Sequence, residues 1–219
     1  RAGVALVDIG GGTTDVAVFR DNTIRHTAVI AVAGKKVTDD IRVGLSVLDE
    51  QAESLKHQYG ECYADMVQED DVITVPGIAG RPPKEISKGI LARIIQARME
   101  EILEIVGIEI KRSGYGDALS AGIVITGGGS LVKNICPLAA QVLGMDAKIG
   151  QPSALGGGMV QEVSSPIYAT AVGLVQHAIA MGLANGGRAG QGSGQASGKS
   201  MEVWSEGFIG RMKNWFSEL

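Results

Sequence analysis

The sequence predicts an α/β fold, and three observations carry the prediction. Two short apolar runs, at residues 4–7 and 121–126, each end in a Gly-Gly-Gly turn followed by a hydroxyl residue. Between and after them lie segments whose apolar residues recur at helical spacing. The composition then changes at residues 185–203 to a Gly- and Ser-rich stretch, followed by a closing amphipathic segment at 204–219. With 219 residues, 45% of them hydrophobic, the chain can bury the core of one large domain or two small ones.

The elements follow in order. The strand at 4–7 stops at Asp8 and Gly10-Gly11-Gly12, residues 16–19 resume with β-branched and apolar side chains, and Asp21-Asn22 is a turn. A third strand over 26–32 completes a meander. Val37, Ile41, Leu45 and Leu48 predict a helix over 37–48, and a second helix over 51–59 ends at Gly60. A short strand at 73–75 leads into "GRPPKEIS", whose two prolines fit neither a helix interior nor a central strand. A long helix is expected from Glu85 to about Val106, with Ile86, Ile90, Ile94, Ala97 and Ile102 on one face. After the strand at 121–126, "TGGGSLVKNICPLAAQVLG" reads as turn and helix. Residues 167–184 form a further helix, nearly apolar over a length at the lower end of a membrane span. Thr170, Gln176, His177 and two glycines interrupt it, so a buried helix of a soluble domain is expected.

Composition excludes several functions. The net charge is −4 with no long basic run, which argues against nucleic-acid binding through a bulk electrostatic footprint. The two cysteines, Cys62 and Cys136, form no metal or disulfide pattern and fit a reduced compartment. No signal peptide is visible. A first residue other than Met, followed at once by a strand, suggests a chain cut from a longer one. "GKS" at 198–200 is a decoy: a phosphate loop of that type needs Gly at 193, where Ser stands.

The two glycine turns carry the chemistry. In "DIGGGTTD", Gly10, Gly11 and Gly12 let the backbone approach a phosphate closely, and successive amides form an anion-binding nest. Thr13 and Thr14 add hydroxyl donors. Asp8 is placed to hold a water of a phosphate-bound Mg²⁺, since Mg²⁺ keeps several of its waters. "ITGGGS" repeats the design with Gly127, Gly128, Gly129 and Ser130 at the start of a helix, where amides suit an anion; Ser130 also reads as an N-cap. Two such loops point to one ligand held from two sides.

In this order and at this separation, the two loops resemble the second half of the actin/Hsp70/sugar-kinase ATPase fold, which is ribonuclease H-like. "DIGGGTTD" is similar to its second phosphate loop, "TGGGS" to its adenosine loop and "AESLKHQYG" to its adenine-pocket helix, with Glu53 and Lys56 at the matching spacing. A solvated ion pair is the plain alternative for those two residues. Within that superfamily the chain resembles the FtsA family of bacterial actin-like division proteins, through "AVAGKKVTDDI", "VPGIAGRPPKEIS", "ARIIQARMEEILEIV" and "SPIYATAVGL". The resemblance implies subdomain 2A at 1–48 and 107–184 and subdomain 2B within 49–106. It implies ATP and Mg²⁺ as ligands, self-assembly into an actin-like polymer, and docking of the FtsZ C-terminal tail on subdomain 2B alongside other division proteins. The family's N-terminal half has no counterpart here, so one wall of the cleft, weak affinity and at most slow hydrolysis in the intact protein are expected.

The tail completes the reading. Residues 185–203 have the composition of a flexible linker, its ends roughly 20–25 Å apart. Beyond it, Phe208, Ile209, Met212, Trp215, Phe216 and Leu219 form one helical stripe, with Trp204 preceding it. Trp suits a membrane–water interface, so these residues are expected to bind a lipid bilayer surface. Each apolar side chain contributes at most ~1.5–3 kcal/mol against ~1–2 kcal/mol per ordered residue, so one tail binds weakly and an array binds well. A partner groove, or packing back on the chain's own domain, are the competing fates of the stripe. The whole reads as an ATP-binding protein that polymerises and anchors FtsZ filaments to the cytoplasmic face of the bacterial membrane at the division septum. The alternative is another ATPase of the superfamily: a small-molecule kinase, a chaperone or a pilus-assembly scaffold.

Overall fold

The apolar run at the head of the chain becomes the central strand of a sheet. In a computed structural model, which describes residues 3–68, 71–77, 80, 82–153 and 160–182, β1 (Gly3–Ile9), β2 (Thr14–Arg20) and β3 (Thr23–Ile30) form the antiparallel meander. Ala5, Val7 and Ile9 are fully buried, while Val4, Leu6 and Asp8 are half-buried on the other face, the period-two pattern of a strand. Asp21 and Asn22 take φ of 54° and 58°. That two-residue turn matches the twist of the flanking strands, and Asp and Asn tolerate it.

The helical spacing after the meander yields α1 (Gly34–Leu45), which buries Val37, Thr38, Ile41 and Leu45. It starts and ends three residues earlier than expected, because Ser46 takes a left-handed φ of 52° and its amide turns back to carbonyls of the last turn. α2 (Asp49–Tyr59) follows. Gly60 ends it with φ of −61°; what requires glycine there is space, since a Cβ would lie 2.2 Å from the Lys56 carbonyl oxygen.

The expected helix from Glu85 is corrected. Residues at 84–87 form β5 (Lys84–Ser87), paired antiparallel with β4 (Val72–Val75) in a separate two-stranded sheet. α3 (Lys88–Arg112) begins only after it, with the Ser87 hydroxyl accepting from Ile90 N at 3.4 Å. The buried face also differs. Ile90 is 49% exposed and Ala97 is exposed, whereas Leu91, Ile95, Met99, Ile102, Val106 and Ile110 line the core. Arg98 fixes α3 to α1 through Asp40, Nε to Oδ2 at 2.5 Å and Nη2 to Oδ1 at 3.1 Å. α3 runs on through Gly107, where the missing side chain makes room for Leu143, 3.0 Å from the place a Cβ would take.

β6 (Ile123–Thr126) pairs parallel with β1, and β7 (Ala147–Ile149) parallel with β6, giving the order β3-β2-β1-β6-β7. Between β6 and β7 come a 3₁₀ turn at Gly128–Leu131 and α4 (Ile135–Leu143). α5 (Val160–Val163), a 3₁₀ turn at Pro166–Tyr168 and α6 (Ala169–Ala180) follow.

The expectation of a buried helix at 167–184 is overturned. No residue of α6 is buried; Leu174 is 66% and Ile179 61% exposed. An apolar composition states that a helix gains by burial, not that the same chain supplies the covering surface. No helix among the described residues is long and apolar enough to cross a membrane. One compact unit runs to His177 and a second begins at Ala178, of which residues 178–182 are described. The linker at 185–203 and the stripe of Trp204, Phe208, Ile209, Met212, Trp215, Phe216 and Leu219 lie outside the described residues.

Candidate functional site

The two glycine turns leave the same end of adjacent parallel strands. Asp8 of β1 and Thr126 of β6 are register partners. From β1 the chain proceeds to β2 and β3 on one side, while β6 leads to β7 on the other. Ligands of open α/β sheets bind in the crevice outside the carboxyl ends of strands at such a reversal of order.

The first loop is built against α1. Gly10 N donates to Thr13 O at 2.9 Å, closing the turn. α1 has no side-chain cap; its first amides, Gly34 N and Lys35 N, donate instead to Gly10 O at 3.1 Å and Gly11 O at 2.8 Å. Gly11 and Gly12 differ from Gly10, Gly127 and Gly129, and share their open surroundings with Gly128. A Cβ on either would meet nothing within 4 Å, and neither has a left-handed φ. Nothing among the described residues requires glycine at these two positions. Thr13 donates to Asp15 Oδ2 at 3.1 Å, and Asp15 pairs with Asp8 across β1 and β2. Thr14 is fully buried and donates to Val32 O at 2.8 Å, so its hydroxyl anchors the strand rather than the loop.

The second loop packs on the end of β1. Gly127 has φ of 80°, and a Cβ there would lie 2.2 Å from Asp8 Oδ1; a Cβ on Gly129 would lie 2.4 Å from Ile9 Cγ2. Gly128 faces open space. Ser130 is 3% exposed and donates to Gly127 O at 2.7 Å. Its reading as the N-cap of a helix is corrected: it lies within the 3₁₀ turn, and α4 starts at Ile135 after Asn134. The turn intervenes because Val132 returns its amide to Gly129 O at 3.3 Å before the α-helix begins.

Glu53 and Lys56 share one face of α2. Lys56 is 13% exposed, and its ammonium donates to Gly34 O at 3.1 Å, Thr38 Oγ1 at 2.7 Å and Glu53 Oε2 at 2.7 Å. Those acceptors match its three protons. Glu53 also accepts from Thr38 and lies 2.9 Å from His57 Nε2. Burial pushes the Glu53 carboxyl up, but the hydrogen bonds of Lys56 and Thr38, the Lys56 charge and His57 outweigh it and hold the group at about 2. The pair thereby ties α2 to Gly34, the residue that holds the first loop. Gly34 and Thr38 went unnoticed in the sequence, though their i, i+4 spacing on the helix leaving the meander was there to read.

Asp8 meets a residue that no local motif announces. Its Oδ2 accepts from Thr170 Oγ1 at 2.7 Å. Just upstream, Pro166 O accepts from Gly127 N at 3.3 Å and Thr126 Oγ1 at 3.5 Å. Among the described residues no group of three or more His, Cys, Asp or Glu could hold a metal ion. A surface depression of about 620 Å³ beside α3, bordered by Asp65, Arg93, Gln96 and Glu100, shares no residue with the loops.

Comparison with known proteins gives a consistent answer. The family model described as Cell division protein FtsA matches residues 5–173. A relative from Pseudomonas aeruginosa, described as Cell division protein FtsA, is 42% identical over 177 residues, covering 81% of this chain and 42% of the relative. One of the same description from Bacillus subtilis is 40% identical over 176 residues, covering 80% of this chain and 38% of its own length. The chain thus spans about two fifths of the curated relatives it matches. Among solved structures, MreB5 of Spiroplasma citri bound to AMPPNP superposes with a TM-score of 0.61 at 24% identity, over 84% of this chain and 56% of that one. The MamK double helical filament gives 0.59 at 14% identity, over 79% and 54%. These likenesses establish an actin-like fold.

Proposed function

The chain belongs to the FtsA family of cell division proteins, and from that premise we propose that it contributes one wall of an ATP-binding, actin-like cleft in a protein that assembles at the division site. The observation that carries the proposal is the open cradle at Gly11 and Gly12. Their lack of a side chain is needed neither for packing nor for backbone conformation, which leaves close approach of a ligand as the reason for glycine. Asp8, Gly10, Gly11, Gly12 and Thr13 would hold phosphates from one side, and Gly127, Gly128, Gly129 and Ser130 the sugar end from the other. Glu53 and Lys56 would border the base while bracing α1, and Thr14 would fix the start of β2 through Val32 rather than touch the ligand. Mg²⁺ would arrive with the phosphates and touch Asp8 through water; when bound it neutralises phosphate charge.

Nucleotide-bound and filamentous neighbours of the same fold support this reading. Beyond it, we place the docking of an FtsZ tail within residues 49–106, where the depression beside α3 offers a concave surface. Membrane attachment falls to the stripe at 204–219, at the cytoplasmic face of the cell membrane. A fluorescent ATP analogue titrated into the 219-residue chain tests the core of the proposal. Saturable Mg²⁺-dependent binding by the natural chain, weakened at least tenfold in Gly12→Ala without change in thermal midpoint, is expected. Equal binding by the two proteins would remove the loop from the site.

A further inference from the structure

We infer that Thr170 is a positioning residue: it fixes the Asp8 carboxylate and so ties α6 to the occupancy of the nucleotide site. The inference rests on the ATP reading above and deepens it. It starts from the juxtaposition of three contacts on one five-residue segment, Thr170 to Asp8 and Pro166 to both Gly127 and Thr126.

Asp8 stands at the end of β1, where a short side chain could otherwise swing. Its Oδ1 is confined on the Gly127 side, where a Cβ would come within 2.2 Å. Its Oδ2 is held by the Thr170 hydroxyl at 2.7 Å. A charge-assisted hydrogen bond of that length sets direction as well as energy. The segment from Pro166 to Tyr168 is a 3₁₀ turn with Pro at its start, which limits its freedom. It grips the second loop through Gly127 N and carries Thr170 to the first. A ligand that shifts either Asp8 or Gly127 therefore pulls on the start of α6. That helix leads away with Leu174 and Val175 exposed, so little packing opposes its response. Sequence separation hides the pairing: Thr170 and Asp8 are 162 residues apart.

The test uses the full 219-residue chain, Thr170→Val and Thr170→Ser. Valine keeps the shape at an exposed position and removes the hydroxyl; serine restores it. A mant-ATP titration is run with Mg²⁺ and again with EDTA, and hydrogen exchange of residues 169–177 is followed with and without Mg²⁺-nucleotide. Thr170→Val should bind about three- to tenfold more weakly with Mg²⁺ and equally with EDTA, as expected for loss of one charge-assisted bond partly screened by water. The nucleotide-dependent change in exchange at 169–177 should vanish in Thr170→Val and return in Thr170→Ser. Equal affinity of the natural chain and Thr170→Val in both media would overturn the inference and leave the ATP reading intact, as would an equal loss in both media. Absence of binding by the natural chain would instead overturn the ATP reading and the inference with it.

Discussion

All three protons of Lys56 are engaged by Gly34, Thr38 and Glu53, so the ammonium acts first as a brace for Gly34, which holds the glycine turn after β1. Glu53 is the titrating member. Its carboxyl is lowered from an ordinary 4.5 to about 2, so the unfolded chain binds more protons than the native one across that interval. The stabilisation is complete above about pH 4.5 and is lost as pH falls towards 2. Urea midpoints for the natural chain and Glu53→Gln should differ most at pH 5 and above, and the gap should narrow steadily as pH falls from 4.5 towards 2; a constant gap would place the effect elsewhere. The loop glycines divide at the same scale. Gly129→Ala sets a Cβ 2.4 Å from Ile9 and should destabilise by about 1–3 kcal/mol, measured by chemical unfolding, whereas Gly12→Ala should cost binding and not stability. Both triplets were legible in the sequence as turns that follow strands. Which glycines the packing requires was not, because that depends on what stands opposite each absent Cβ. Thr170 was invisible for the same reason.

Among the elements, α3 carries the sharpest lesson. Apolar residues recur at several offsets along it, and periodicity alone favoured a stripe through Ile90 and Ala97. Packing against α1 and the sheet instead selects the neighbouring stripe through Leu91, Ile95 and Met99, which meets the expected face at Ile102. Its start was misplaced because Lys84–Ser87 finds a strand partner in Val72–Val75, a pairing that local propensity cannot register. Ile102→Ala should therefore cost about 2–5 kcal/mol and Ile90→Ala no more than about 0.5 kcal/mol in urea unfolding. Equal costs would restore the stripe drawn from the sequence. The meander, α1, α2 and β6 were legible within a few residues, since each is closed locally by a glycine, an Asx turn or a left-handed cap, whereas the short parallel strand β7 was not read from the sequence.

For the molecule as a whole, the composition breaks after α6, and α6 exposes an apolar surface whose cover is not among the described residues. The matched part of this chain makes up about two fifths of the length of these relatives. The terminal stripe makes its own prediction. The 219-residue chain held at high density should float with vesicles containing anionic lipid, and a Trp215→Glu/Phe216→Glu variant should remain in the dense fraction. Equal flotation of the two would assign the stripe to another partner.

The claim on which the rest depends is that one nucleotide is held from both sides by the turns after β1 and β6. Hydrogen exchange of the 219-residue chain, with and without saturating Mg²⁺-ATP, addresses it directly. Simultaneous protection of residues 10–14 and 127–131, with the same dependence on nucleotide concentration, is predicted. Protection confined to one loop, or absent from both while the sheet stays folded, would contradict it.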